Sequence, residues 1–452
     1  MTGKRRWSWL IFIGLLAYFL GMFAVYGLGI YNDSDQYITM HIHREPLYPL
    51  YLACFRKIAG AESGLILAVI VQSVLTPISI LALSEYLTSR FFLKLSGELV
   101  IVVLLILPHL MTKYMSALSI FLESSIMSEA LCIPLFQFFI LFMLKMLYEM
   151  KLRDAAFSLL FAFLLSMTRS QMSVALVIWV LGAMFVLLVR KQYKRLVLPL
   201  CALICVVGVR QLSVYTYNYF VTGYFMGNTY GQVNILTNVM YASDPEDREV
   251  FEDGSLEQMF FDSFYKEASA RGVNYSYAGE TIAERTAHLE DSHDILKFDI
   301  IEGGFSTYFW TLEEVEDDYY KQSSMSDEMA GTMFAKLLPA CFGQWIYDYL
   351  LLCRYGFIRS IAVVNKFINW IALGIYLAAA GLFLYMCRKG WKNPAVWLMG
   401  LAFLVIVANV CAVSLTIMCL SRYMVYGFSL FYIALFILGR EFLCKKTGNY
   451  LL

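Results

Sequence analysis

The chain has 452 residues, 60% of them hydrophobic and only 15% charged, with 35 basic residues balancing 35 acidic ones. A soluble domain sits nearer half apolar and a quarter charged, and several stretches run about 18 or more residues without a charge, enough to cross a hydrocarbon core of roughly 30 Å. This excludes a soluble protein, the lack of short alternating strands excludes a barrel, and nothing in the charge balance calls for a nucleic-acid partner.

The first apolar run, Trp9 to Ile30, is too long for a signal peptide and no small-residue cleavage site follows it, so it reads as a retained span. Next comes NDSDQYITMHIHREPLYPLYLACFRK, from Asn32, dense in ionisable and aromatic groups. Further spans are predicted over 64–84, 98–116, 130–148, 155–168, 172–189, 196–212, 366–387, 395–417 and 423–440. Every second connector is basic: KRR at 4–6, Arg90 with Lys94, KMLYEMKLR at 145–153, RKQYKR at 190–195, RKGWK at 388–392, and Arg440 with KK at 445–446. The rule that basic connectors stay inside puts both termini in the cytoplasm.

The fold class is therefore an all-α polytopic membrane protein of about ten transmembrane helices with a large extracytoplasmic insertion. Three parts are expected: an N-terminal transmembrane module over 1–212 with its first outer loop at 31–60, an acidic extracytoplasmic cap over 213–365, and C-terminal transmembrane helices over 366–452. The insertion holds 24 of the 35 acidic residues and 9 of the basic ones. Its 241–330 portion reads as short polar helices with too little apolar matter for a large core. The ten cysteines form no CxxC pair, so neither a zinc site nor a disulfide framework is indicated. Cys341 and Cys353 are a pair that could face the outside together and form a lone disulfide.

Asp33, Asp35, Arg44, Glu45, Glu129, Arg169 and Arg422 come from four separate stretches, all at outer ends of spans. Charges at the edge of hydrocarbon are costly unless paired or in a watered cavity, so one shared cavity is expected. An aspartate there can take a proton from a hydroxyl nucleophile or hold a divalent cation, and arginine forks onto phosphate. A phosphate carried on a lipid suits both. Asp33, Asp35, His41 and His43 are the candidate metal ligands, although residues two apart, like the histidines, lie on different sides of a helix.

At these residues the sequence resembles a family. DSDQY followed by HREPLYPLYLA is similar to the first outer loop of GT-C glycosyltransferases, the polyprenyl-phosphate-sugar-dependent group that includes protein mannosyltransferases and aminoarabinose transferases. The family's acidic residue four before a tyrosine corresponds to Asp33 with Tyr37, and its R-x-P-x-Y-P-like segment to Arg44, Pro46, Tyr48 and Pro49. SIMSEALCIPLFQFFILFM resembles the next outer acidic position at Glu129, MTRSQ the arginine-bearing turn at Arg169, and LSRYMVYGFSLFYIALFIL a late R-Y element at Arg422 and Tyr423. The chain departs from the family's adjacent Asp-Glu pair by carrying Asp33-Ser34-Asp35, so the catalytic pair to test is Asp33 and Asp35. The insertion matches no shared family domain.

The resemblance implies a sugar moved from a polyprenyl-phosphate donor to a glycan, lipid or protein acceptor on the extracytoplasmic face of a cell membrane. Asp33 would act as base; Arg44, Glu45, Tyr48, Glu129, Arg169, Arg422 and Tyr423 would bind substrate and lipid phosphate, with a divalent cation as a conceivable helper. Short connectors and the absence of organelle signals point to a bacterium. The competing readings are an outer-face polysaccharide polymerase or ligase, which would rest on arginines in a large outer loop, and a transporter or flippase, which would want ionisable groups near the midplane and broken helices.

Overall fold

The computed structural model describes residues 2–114, 121–311 and 318–447. The tail of the expected span 98–116 and the acidic run at 313–317 lie outside the described residues. The chain runs through α1 (Thr2–Tyr26), α2 (Ser34–Ile38), α3 (Leu47–Ala59), α4 (Ala61–Arg90), α5 (Leu95–Tyr114), α6 (Glu129–Glu149), α7 (Leu152–Ser166), α8 (Val174–Val189) and α9 (Val197–Thr222). It continues through α10 (Gly231–Tyr241), α11 (Leu256–Arg271), α12 (Ile282–Asp294), α13 (Gly303–Phe305), α14 (Tyr319–Ala340) and α15 (Phe342–Arg359). The last helices are α16 (Ile368–Gly390), α17 (Pro394–Thr416), α18 (Ser421–Met424) and α19 (Tyr426–Thr447). Among the described residues there is no strand, only an isolated bridge between Gly29 and Ser125.

Nine helices among the described residues are long and apolar enough to cross a membrane. This is a polytopic helical membrane protein, as expected where lipid forces each segment to satisfy its own backbone. The tenth expected span, 155–168, is the 15-residue α7, only about 22 Å long and short for a bilayer. The first span ends at Tyr26 rather than Ile30.

Two compact units make up the chain: unit 1 is Met1–Tyr217, Ile358–Asn409 and Ser421–Leu452; unit 2 is Asn218–Phe357 and Val410–Leu420. In unit 1, α6 is the central helix, with 83% of its apolar window buried against 11% for α1. It packs on α4, α7 and α8, while α19 lies on α5. Four of the basic connectors meet at one end of this bundle. Arg90 lies 4.7 Å from the Tyr148 ring centre, Tyr148 donates to the Pro394 carbonyl at 2.8 Å, and Arg440 donates to the Phe91 carbonyl at 3.1 Å.

Unit 2 corrects one expectation. Its helices are polar in composition but bury a core of Phe260, Phe261, Phe264, Phe305, Phe309, Leu296 and Met333, all 1% exposed or less. A few rings suffice because each buries 150–250 Å², so a low apolar fraction understated the core. Gly304 lets the α13 backbone close on Phe260, whose ring a Cβ would meet at 2.3 Å. The flanking segments Ile295–Glu302 and Ser306–Trp310 are π-helical. Cys341 and Cys353 are buried free thiols, not a disulfide: Cys341 caps α14 and Cys353 lies along α15. Twelve helical residues span about 18 Å, far beyond disulfide reach.

Asp348 of α15 is buried and accepts a hydrogen bond from Gln344 at 2.9 Å. Burial pushes its carboxyl up to about 7, against that hydrogen bond and the Arg285 charge. A carboxyl raised on folding stabilises the fold in its protonated form, so this contribution is present below the ordinary aspartate range and is lost as pH rises through about 7. Asp348→Asn should therefore raise the melting temperature of the full-length protein at pH 8 and leave it unchanged at pH 4. Melts that shift equally at both pH values would show that Asp348 does not titrate this way.

Candidate functional site

The connector after α1 is stitched to the connector before α6. Gly29 donates to the Ser124 carbonyl at 2.8 Å and Ile126 donates to the Gly29 carbonyl at 2.9 Å, while the Ser34 hydroxyl donates to the Ile126 carbonyl at 2.8 Å. Gly29 is required here: a Cβ would stand 2.7 Å from the Ser125 hydroxyl. This fixes Asp33, at the start of α2, near the head of α6.

The Asp33 side chain does not cap its own helix and is held by two arginines instead. Arg44 donates to one oxygen at 2.7 Å, and Arg422 approaches the other at 3.5 Å. Burial alone would push the Asp33 carboxyl up, but Arg44, Arg422 and the hydrogen bond from Arg44 outweigh it and hold the group below its ordinary value. The fold is therefore stabilised by ionised Asp33 at neutral pH, and that contribution is lost only as pH falls through the lowered value.

From Arg44 the network runs inward. Its Nε donates to Gln36 at 2.8 Å, and its Nη1 reaches the Tyr37 hydroxyl at 3.4 Å. The buried Tyr37 hydroxyl pairs with Ser128 at 2.9 Å, and Arg169 donates to the same Ser128 oxygen at 2.9 Å. Arg169 also forms an ion pair with Glu129 at 2.6 Å, with the Glu129 side chain 1% exposed. Arg422 closes the ring by donating to the Tyr423 hydroxyl at 2.8 Å. The Arg169 and Arg422 guanidinium carbons lie 5.2 and 4.9 Å from the Tyr423 ring centre.

The linked set thus joins three guanidiniums to two carboxylates. Among the described residues, two of its buried atoms, Arg422 Nε and Glu129 Oε1, have no hydrogen-bond partner. A surplus positive charge beside an unsatisfied guanidinium N–H suits an anion with acceptor oxygens, and the bare carboxylate oxygen suits a hydroxyl.

The other predicted residues behave differently. Asp35 is exposed, so the two aspartates are not equivalent. Glu45 is buried, ion-paired to Arg210 and bonded by the Ser170 hydroxyl at 2.8 Å. Tyr48 is fully buried, packed edge-on to Tyr37 with ring centres 5.1 Å apart and donating to Gln72 at 3.3 Å. Glu45 and Tyr48 therefore brace the site from behind. The four candidate metal ligands are not gathered: among the described residues no group of three or more His, Cys, Asp or Glu side chains is placed to hold a metal ion. His41 and His43 stand ring to ring at 4.5 Å rather than on opposite faces, because the segment between α2 and α3 is a turn and not a helix. Burial, then the Arg44 charge, holds His41 below its ordinary value.

Sequence reasoning missed Arg210, Gln36 and Ser128, and also the fully buried contact of the His109 ring with the Glu123 carboxyl group. Arg210 and His109 each interrupt an apolar helix, and an ionisable residue inside a span is itself a signal. Gln36 and Ser128 carried none. No protein family, curated protein or solved structure matches the chain.

Proposed function

We propose that this membrane protein is a glycosyltransferase that moves a sugar from a polyprenyl-phosphate donor to a hydroxyl acceptor, on the extracytoplasmic face of a bacterial cell membrane with both termini cytoplasmic. The observation that carries this reading is Asp33 held between Arg44 and Arg422 in a network with one more guanidinium than carboxylate. A donor phosphate would take up the arginines through charge-assisted bonds, including the free Arg422 Nε. Withdrawn from those charges, Asp33 would regain proton affinity and become a competent base.

The acceptor oxygen would then attack the anomeric carbon, its proton passing to Asp33 as the bond from that carbon to the phosphate oxygen breaks. Attack opposite the leaving phosphate inverts the anomeric centre. The leaving phosphate carries the bonding electron pair, and its charge rests on Arg44, Arg422 and Arg169. Glu129 Oε1, buried and without a partner, would accept from a sugar or acceptor hydroxyl. The resemblance to GT-C enzymes at these same positions adds support.

The test uses full-length protein in nanodiscs and compares polyprenyl phosphate with the uncharged polyprenol. The phosphate should bind more tightly, and Arg422→Gln should weaken its binding about 10- to 100-fold, the range for one hydrogen bond to a charged group. Equal binding of the phosphate and the alcohol would remove the reading.

A further inference from the structure

At the basic end of unit 1, α6, α8, α16 and α17 line an open apolar cavity of about 370 Å³, formed by Phe185, Phe383, Trp391, Trp397, Gly400 and Leu404 among others. Counted along α6 from Glu129 to Leu147, which also lines it, it lies about 27 Å from the Asp33–Arg422 site, so it is a separate place in the fold. Its volume is in the range of small-ligand sites. Water is a poor occupant, because a buried water needs two to four polar partners. The lining offers almost none: the Trp397 indole N–H is already donated to the Trp391 carbonyl at 2.8 Å. Hydrocarbon is the fitting content, and the bilayer is beside it, since only 17% of the α16 apolar window is buried.

The mouth carries the second observation. Trp391 is 47% exposed, the half-wet placement of an interfacial tryptophan. Around it stand the exposed Arg388, Lys389 and Lys392, with Lys392 Nζ 5.7 Å from the Trp391 ring centre and Lys389 Nζ 5.8 Å from that of Tyr385. Arg190 and Lys191 follow α8 at the same end. Glu149, the acidic group at the end of α6, is matched by Lys151 at 2.7 Å. An apolar slot roofed by surplus positive charge is complementary to an amphiphile with hydrocarbon below and an anion above.

We propose that this cavity holds an acyl chain of an anionic phospholipid, whose head group rests on Arg388, Lys389 and Lys392. Gly400 sets its width. A Cβ there would meet only the Phe383 ring, at 3.8 Å, so a longer side chain at this position projects into the cavity without striking backbone.

The full-length protein is placed in nanodiscs of equal parts phosphatidylglycerol and phosphatidylcholine, and retained lipid is identified by native mass spectrometry. Wild type should keep phosphatidylglycerol preferentially, by about fivefold for each cation engaged. Lys389→Gln with Lys392→Gln, both on the exposed surface, should cut the preference to the roughly fivefold that Arg388 alone supplies, while lipid is still retained. Gly400→Leu should lose the retained lipid of both kinds at an unchanged melting temperature. Equal retention of the two lipids by wild type would overturn the charged mouth, and full retention by Gly400→Leu would overturn the cavity as the seat. Displacement of phosphatidylglycerol by stoichiometric polyprenyl phosphate would assign the slot to the donor lipid and overturn the phospholipid. Should Gly400→Leu fail to fold, quenching of tryptophan fluorescence by bromine-labelled acyl chains, reduced in Trp391→Phe by that residue's share, decides the location; quenching unchanged in that variant overturns it.

Discussion

Asp33→Asn should reduce sugar transfer from a polyprenyl-phosphate donor by about 10²–10⁴-fold, the usual loss for a positioned general base, while Asp35→Asn keeps most of the activity. The asymmetry follows from placement. Asp33 meets Arg44 and Arg422, whereas Asp35 faces solvent. Folding should survive both changes. Asp33 is 30% exposed, the amide oxygen of the substituted side chain could still accept from Arg44, and loss of a partly exposed ion pair costs little. The measurement is initial rate with labelled donor, alongside the melting temperature and the yield of protein in the membrane. If both variants remained fully active, the glycosyltransferase reading would fail. A reversed pattern would make Asp35 the base and require the loop to rearrange on binding donor.

Asp33 also illustrates what the sequence held and what it did not. The spans were legible because an apolar segment in lipid has few ways to satisfy its backbone, and the outer-end charges were legible because each is expensive unless it has a task or a partner. So Asp33, Arg44, Glu129, Arg169, Arg422 and Tyr423 could be named together from separate stretches, and the structure brings them into one network. Partner choice was not legible. Glu45 adjoins Arg44 in sequence but pairs with Arg210, because the turn into α3 sends neighbouring side chains in different directions. The unit 2 core was hidden for another reason: its phenylalanines stand among charged and polar residues in short groups far apart in sequence, and only the packing of α10, α11 and α14 around the π-helical segment gathers them. The short α7 is explained at its end, where the turn after Ser166 must deliver Arg169 to Glu129 at the first residue of α6.

That delivery sets up the second large effect. Glu129→Leu alone should destabilise the protein by about 3–5 kcal/mol, because it leaves the Arg169 guanidinium buried without its carboxylate. The Arg169 side chain is 14% exposed, so solvent cannot replace what is lost. Arg169→Met alone should cost less, since Glu129 can accept a proton. Glu129→Leu with Arg169→Met should recover much of the stability, because an apolar pair of similar volume avoids the cost of desolvating two charges. The three variants form a double-mutant cycle, read by chemical unfolding of the full-length protein in detergent. If the effects added, the pair would not be coupled as its geometry indicates. Transfer activity then separates the two roles Arg169 is asked to fill. A double variant that folds but transfers no sugar places Arg169 and Glu129 in the chemistry, through the Ser128 and Tyr423 contacts that join them to Arg422 and Asp33. A double variant that folds and transfers normally would reduce the pair to a clamp between α6 and the α7 turn, leaving Arg44 and Arg422 to hold the phosphate alone.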